Sequence, residues 1–199
     1  GSIWYSRAFV RDAYAGGGWL EPAALGDSAG AQQAQFGDSP SLVAAAGNLY
    51  AVYAVPVNED RGIYFTLSED GGETWRVPVV VFNAAAAGWP TVGNPELAVD
   101  GTGGLHVVWL RPALAAGEPS QGVAYAYSTD GGKRWHAPLT VAEGTMMWPQ
   151  VTAAAPRQVH LLWQDVTRGG AWWHRWLGDV ASQDDGGEAW AGWTRAEQV

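Results

Sequence analysis

The hydrophobic positions of this chain fall into short runs that are separated by glycine, proline and polar residues. The runs LYAVYAV from Leu49 and LHVVWL from Leu105 are only six or seven residues long, and GVAYAYS from Gly122 alternates aromatic and small residues. Short apolar or alternating runs between glycine and proline are typical of β-strands. The pattern therefore predicts an all-β chain.

One octapeptide occurs twice, beginning at residues 68 and 128. Both copies, SEDGGETW from Ser68 to Trp75 and STDGGKRW from Ser128 to Trp135, read Ser-x-Asp-Gly-Gly-x-x-Trp. A repeat with a period of this order usually defines the architecture, because each copy is one structural unit stacked on the next. The sequence around each copy also matches, so we interpret the chain as a series of similar units.

Each unit is expected to contain four short strands. The first follows a proline, the second is apolar, the third alternates aromatic and small residues, and the fourth follows a tryptophan. In the third unit Trp193, rather than Trp190, aligns best with that tryptophan. At the start of the chain, Ile3–Ser6 resembles a third strand and residues 19–25 resemble a fourth. We expect a half unit over residues 1–25 and full units over 40–82, 95–141 and 149–199.

The residue types of the octapeptide suit a β-hairpin turn. Glycine adopts positive φ at little cost, an aspartate side chain accepts hydrogen bonds from the backbone N–H groups of its own turn, and tryptophan covers the hairpin with a large apolar face. A calcium loop is a weaker interpretation, because one carboxylate per turn supplies too few ligands. We assign these positions a structural role and no metal: Ser68, Asp70, Gly72 and Trp75; Ser128, Asp130, Gly132 and Trp135; Asp185, Gly187 and Trp193.

This octapeptide, placed between the third and fourth strands of a four-stranded unit, resembles the Asp box, or BNR repeat, of sialidases and related β-propellers. The two clean copies match it except that Arg134 replaces the usual threonine. The resemblance extends from Ile3 to Val199. It implies a β-propeller of four-stranded antiparallel blades, of which this chain holds about three and a half. It leaves function open, because propellers with this repeat include glycosidases, lectin-like modules, assembly factors and sorting receptors.

Three and a half blades do not close a ring, since closed propellers usually hold four to eight blades. An open array exposes apolar blade faces to water, which favours association. We therefore expect either a segment of a longer propeller or a homo-oligomer, such as a dimer that supplies seven blades. The leading Gly1-Ser2 resembles the remainder of a cleaved expression tag.

The resemblance also locates the candidate binding site on the face opposite the Asp boxes. There the site forms from loops that join strand four to the next strand one, and strand two to strand three. In this chain the first kind of loop covers 26–39, 83–94 and 142–148, and the second covers 57–61, 111–121 and 165–170. Aromatic faces beside polar groups suit sugar rings. The ligand-binding candidates in these loops are Trp89, Trp148, Arg61, Arg111, Arg168, Asp165 and Asn94.

Two interpretations of these loops remain open. Trp89 and Trp148, which precede prolines in GWP and MWP, occupy matching positions and either contact a sugar or wedge between blades. Sialidases hold a substrate carboxylate with three arginines and also use a tyrosine, a glutamate and an aspartate. This chain lacks the Arg-Ile-Pro motif that usually supplies the first arginine. We favour a non-catalytic module that binds glycan or protein, with part of a sialidase-like glycoside hydrolase as the alternative, and assign no catalytic residues.

Composition narrows the partners further. The net charge of −9 disfavours nucleic acid and anionic membranes, and no apolar stretch approaches the length of a membrane span. The chain has no cysteine, and its four histidines lack the spacing of metal ligands. His106 and His160 fall at equivalent positions of strand two, which indicates a repeated packing role. We expect no cofactor, a carbohydrate or protein ligand, and an extracellular or periplasmic location.

Overall fold

The computed structural model describes residues 3–14, 18–25, 37–112, 122–155, 158–178 and 194–199. Within these ranges the chain forms fourteen β-strands and one short 3-10 turn at Val166–Arg168. The described residues contain no helix that is long and apolar enough to cross a membrane. The strands are β1 (Trp4–Tyr5), β2 (Ala23–Ala24), β3 (Asp38–Ala45), β4 (Asn48–Val55), β5 (Gly62–Ser68), β6 (Val79–Asn83), β7 (Gly93–Val99), β8 (Leu105–Arg111), β9 (Gly122–Ser128), β10 (Leu139–Ala142), β11 (Met146–Ala155), β12 (Gln158–Asp165), β13 (Ala171–Gly178) and β14 (Glu197–Gln198).

The strands form three antiparallel four-stranded sheets and one two-stranded sheet, each in chain order. We call β3–β6 blade 1, β7–β10 blade 2, β11–β14 blade 3, and the pair β1–β2 the half blade. The first strands of successive blades are neighbours: β7 contacts both β3 and β11, and the Ser41 hydroxyl donates to Glu96 Oε2 at 2.8 Å. The predicted fold class is confirmed: the chain is all-β and forms part of a β-propeller.

Strand register shows which residues are equivalent in the four units. Tyr5 pairs with Ala23, Phe65 with Val79 and Tyr125 with Leu139, and each of these partners lies four residues after a tryptophan, namely Trp19, Trp75 or Trp135. In blade 3, His174 pairs with Glu197, which lies four residues after Trp193 in the sequence. The third-strand residues Tyr5, Phe65, Tyr125 and His174 are therefore equivalent.

The cores lie between blades. One face of blade 1, which includes Val52 and Phe65, packs on Val107 and Trp109 of blade 2. The corresponding face of blade 2, which includes Tyr125, packs on the β12 side chains of blade 3. The half blade packs in the same way on the opposite face of blade 1. Because these strands bury both faces, their sequences are nearly continuous apolar runs rather than clean alternations.

The octapeptide turns, which we call the aspartate turns (Ser68–Trp75 and Ser128–Trp135), join strands three and four. Asp70 accepts hydrogen bonds from the backbone N–H and the hydroxyl of Thr74, and Ser68 donates to Asp70 Oδ1 at 2.8 Å. These bonds, first of all those from Thr74, hold the pKa of Asp70 well below its usual range. Arg134 replaces that threonine in the second turn, where Asp130 accepts hydrogen bonds from the backbone N–H of Arg134 and from the Ser128 hydroxyl, and residue 134 has no hydroxyl to donate.

The half blade keeps the backbone geometry of these turns although its turn sequence differs. The N–H of Leu20 donates to the carbonyl of Arg7 at 2.9 Å. The equivalent bonds join Arg76 to Leu67 at 2.9 Å and His136 to Tyr127 at 3.0 Å. The backbone position of Trp19 in the half blade is therefore equivalent to that of Trp75 in blade 1 and that of Trp135 in blade 2.

Candidate functional site

The candidate site lies at the end of the propeller where the first strand of each blade begins. In an antiparallel four-stranded blade, the start of strand one lies at the end opposite the turn between strands three and four. The aspartate turns are therefore at one end, and the loops named from the sequence are at the other. We call the second end the channel mouth.

A strained bulge occurs at the same place in all three full blades. Ser39, Asn94 and Trp148 have φ of 49°, 52° and 52°, and each directly precedes a proline. The pairing of strands one and two shifts register at each of these positions. Non-glycine residues at positive φ are uncommon, bulky ones more so, and such strain is concentrated at functional sites. Bulges next to sites serve to re-aim a side chain.

These positions correct two expectations from the sequence. Asn94 and Trp148 lie within strands β7 and β11, not in the loops before them. Strand register shows that Trp148 is equivalent to Asn94 and Ser39. In each blade, the residue two positions later pairs with strand two, and these pairs are Ser41–Val52, Glu96–Val108 and Gln150–Leu162. Trp148 therefore does not match Trp89, which lies four residues before β7. Ser39 is not among the candidates predicted from the sequence. It could have been identified there because it directly precedes a proline at the start of strand one, as Asn94 and Trp148 do.

Trp148 and Trp89 have different environments. The side chain of Trp148 is 54% exposed, and Asn94 is also exposed at the mouth. Trp89 is half-buried, with its ring 4.5 Å from that of Phe82 between centroids, and it packs against the core between blades 1 and 2. Of the two tryptophans, Trp148 has the more exposed ring, and Trp89 packs between the blades.

Two of the candidate arginines meet at Trp89. Arg61 donates from Nε to the Trp89 carbonyl at 2.6 Å and from Nη1 to the Asn58 carbonyl at 2.8 Å. The guanidinium of Arg111 lies 6.0 Å from the centroid of the Trp89 ring, and its Nη1 donates to Thr140 Oγ1 at 3.1 Å. Arg61 and Arg111 thus brace the connection between β6 and β7.

The other charged candidates form a separate group in blade 3. Asp165 is buried at the end of β12, where its carboxylate accepts hydrogen bonds from Thr167 Oγ1 and the N–H of Arg168. Arg168 forms an ion pair with Asp165 at 3.3 Å, and its guanidinium lies 4.6 Å from the centroid of the Trp173 ring. These contacts order the 3-10 turn. Arg168 therefore stabilises its own turn, whereas Arg61 and Arg111 stabilise the connection between blades 1 and 2.

A buried polar network lies near the other end of blade 2. His106 Nδ1 is 2.8 Å from the Tyr125 hydroxyl, and His106 Nε2 is 3.3 Å from Asp100 Oδ2. Burial by itself raises the pKa of Asp100, but hydrogen bonds from His106, Thr102 and Gly104 outweigh it and hold the pKa well below its usual range. Burial raises the pKa of Tyr125 well above its usual value. The three side chains are at most 7% exposed, so the network packs the blade rather than meeting a substrate.

The site so described offers an aromatic face and an amide at a channel mouth. Across the described ranges, no group of three or more His, Asp or Glu residues is arranged to hold a metal ion. The predicted structural positions Asp185, Gly187 and Trp193 lie outside the described residues, as do most of the predicted loops 26–39 and 111–121.

The class that this fold defines is a β-propeller of four-stranded antiparallel blades. No protein-family model matches the sequence. The chain is similar to a sialidase of Bacteroides fragilis (strain YCH46), with 31% identity over 123 residues, which cover 49% of this chain and 22% of that protein. The chain thus spans about a fifth of the length of this curated relative.

Two solved structures are similar in fold. The Hadza microbial sialidase Hz136 matches with a TM-score of 0.59 at 19% identity, covering 87% of this chain and 40% of that chain. The α-L-arabinanase of Penicillium chrysogenum complexed with arabinobiose matches with a TM-score of 0.55 at 16% identity, covering 82% and 49%. At these identities the likeness concerns the fold alone.

Proposed function

We propose that this chain is a non-catalytic, glycan-binding propeller module and that its ligand contacts the channel mouth at Trp148 and Asn94. The aspartate turns are, in this proposal, Asp boxes of the BNR type with a structural role. The observation that carries the proposal is the state of Trp148: a bulky residue held at φ 52° with more than half of its side chain exposed. Folding strains this backbone without burying the ring, which supports a role in binding.

The chemistry of the mouth suits a sugar. An exposed indole face stacks on the apolar C–H face of a pyranose, and the Asn94 amide, at the equivalent position of the neighbouring blade, both donates and accepts hydrogen bonds to hydroxyls. The arginines support binding over catalysis. Arg61 is committed to two carbonyl groups, and Arg168 to Asp165 and Trp173, which argues against a shared carboxylate clamp.

The test is binding to an array of neutral and sialylated oligosaccharides, followed by titration calorimetry with the best ligand. We expect Trp148→Ala to weaken binding by roughly tenfold or more, since truncation of a dominant aromatic contact removes more than about 1 kcal/mol. Tyr14→Ala is the control, because Tyr14 is an exposed aromatic in the turn region of the half blade, at the other end of the molecule. Unchanged binding by Trp148→Ala, or binding only to proteins, would reject the glycan site.

A second candidate function is favoured by the 31% identity to a sialidase: the chain is part of a sialidase-like glycoside hydrolase. Fluorogenic sialosides test it directly. Turnover that disappears in Arg111→Lys, with an unchanged thermal midpoint, would establish hydrolysis and reject the non-catalytic proposal. We expect an extracellular or periplasmic location under both candidate functions. Fractionation of cells of the source organism tests this expectation.

A further inference from the structure

One aromatic contact is repeated where units meet. The ring of Trp75 lies 5.3 Å from that of Tyr5 in the half blade, with the ring planes at 75°. The ring of Trp135 lies 5.5 Å from that of Phe65 in blade 1, at 64°. In both cases the tryptophan before strand four packs edge-on against the third-strand ring of the preceding unit. Each contact thus needs a tryptophan from one unit and a third-strand aromatic ring from the unit before it.

In the half blade, Trp19 occupies the tryptophan position of this contact, and no third-strand ring packs on it among the described residues. Trp19 is placed as Trp75 is, yet it is 55% exposed whereas Trp75 is 6% exposed. On the neighbouring strand, Trp4 occupies the position of Tyr64 and shows the same contrast, at 62% against 7%. Two large aromatic side chains of the half blade therefore face solvent, on the side that corresponds to the side of blade 1 packed against the half blade.

In blade 3, His174 occupies the third-strand position of this contact, and no tryptophan packs edge-on against it among the described residues. His174 is equivalent to Phe65 and Tyr125, which are both buried, but His174 is only half-buried. Leu162 lies beside it at a position where Val52 and Val108 are fully buried. Together with His160 and Thr152 they line an open depression of about 490 Å³. Its imidazoles are ordered: the rings of His160 and His174 stack at 5.2 Å, and His160 Nδ1 is 3.0 Å from His174 Nε2.

We propose that this face of blade 3 binds the half blade of a second copy of this chain, with Trp19 of that copy packed edge-on against His174. The occupant follows from the complementarity: among the described residues, the half blade exposes a tryptophan that no third-strand ring covers, and blade 3 leaves partly exposed a third-strand ring that no tryptophan covers. Exposed apolar patches of this kind mark interaction sites. The contact is heterologous, so copies add head to tail until a ring closes. This inference does not depend on the proposed glycan site.

Analytical ultracentrifugation across a concentration series tests the proposal. We expect the wild-type chain to associate reversibly into species of at least twice 21.1 kDa. Trp19→Ala should raise the dissociation constant by roughly tenfold or more, because buried tryptophans dominate interfaces. The matched control is Trp148→Ala, which removes a tryptophan of nearly equal exposure, 54% against 55%, from the channel mouth and should leave association unchanged.

A gain-of-function variant separates a specific contact from general stickiness. His174→Phe places in blade 3 the residue that blade 1 uses at this position, and it should tighten association, whereas His174→Glu should weaken it. A wild-type chain that stays monomeric at high concentration overturns the proposal. So does association that Trp19→Ala and His174→Glu both leave intact.

Cross-linking locates the contact independently, because the chain contains no cysteine. Leu20→Cys lies next to Trp19, and Thr152→Cys lies on the depression; both positions are exposed. A mixture of the two single variants should give a covalent dimer with a short thiol-reactive cross-linker. Pairing Leu20→Cys with Val77→Cys, another exposed position, should give none. Equal yields from both pairs would contradict the proposed docking.

Discussion

Gly132 lies directly against the ring of Phe65, so that a Cβ atom added at this glycine would overlap that ring. The backbone of blade 2 thus approaches an aromatic side chain of blade 1 next to the contact between Phe65 and Trp135. Gly72 meets Tyr5 in the same way at the boundary of the half blade and blade 1. The second glycine of the aspartate turn therefore serves two purposes: it allows positive φ, and it makes room for the preceding unit.

Two glycine substitutions separate these purposes. Gly131 has φ of +73° and open space around it, so Gly131→Ala should lower the free energy of unfolding by about 1–2 kcal/mol through backbone strain alone. Gly132, with φ of +83°, carries that strain and also the overlap with Phe65, so Gly132→Ala should cost about 3 kcal/mol or more. Urea unfolding measures both. Equal losses would show that the close approach to Phe65 does not contribute.

Trp148→Asn should stabilise the fold while it removes the proposed ligand contact. Asparagine tolerates positive φ better than a bulky residue, and Asn94 already occupies the equivalent position in blade 2. Relief of this strain is worth about 1–2 kcal/mol and should exceed what the buried part of the indole contributes, so the free energy of unfolding should rise by about 0.5–1 kcal/mol. Thermal and urea unfolding check it. A clear loss of stability would mean that the tryptophan is held for packing.

Acid stability should depend on Asp70. Its folded-state pKa lies below the ordinary value of 3.8, so the unfolded chain takes up protons first as the pH falls. The stabilisation is present above pH 3.8 and is lost progressively as the pH falls from there toward the folded pKa. Asp70→Asn should reduce this loss, measured by urea unfolding as a function of pH. Asp130→Asn, in a turn that lacks the threonine, should change the acid slope less.

The buried network of blade 2 should matter for stability at neutral pH. His106→Ala removes the partner of both the Asp100 carboxylate and the Tyr125 hydroxyl in a buried region, which should cost about 3 kcal/mol. His136, an exposed residue whose ring stacks on Tyr127 at 4.0 Å, provides the comparison. His136→Ala should cost under about 1 kcal/mol. Similar losses for the two histidines would contradict a special role of the network.

The strands were predictable because their signals are local. Glycine and proline mark the ends of each apolar run, and in blade 1 the first strand begins at Asp38 and the fourth ends at Asn83. Even the degenerate tail follows the spacing of the repeat, since β14 begins four residues after Trp193. The site was harder to predict because its residues depend on what surrounds them. Trp89 and Trp148 both precede proline, yet one packs between blades and the other lies exposed in a bulge.

By itself, the sequence determined that the chain is built from repeated four-stranded units with glycine turns, because strand alternation and turn chemistry act over a few neighbouring residues. The tertiary structure decided which groups meet across the units: Trp135 with Phe65, and Arg61 and Arg111 with Trp89. Most of these contacts join residues that are far apart in the chain. They arise when sheets pack face to face around a common axis, and packing geometry of that kind leaves no local pattern in the sequence.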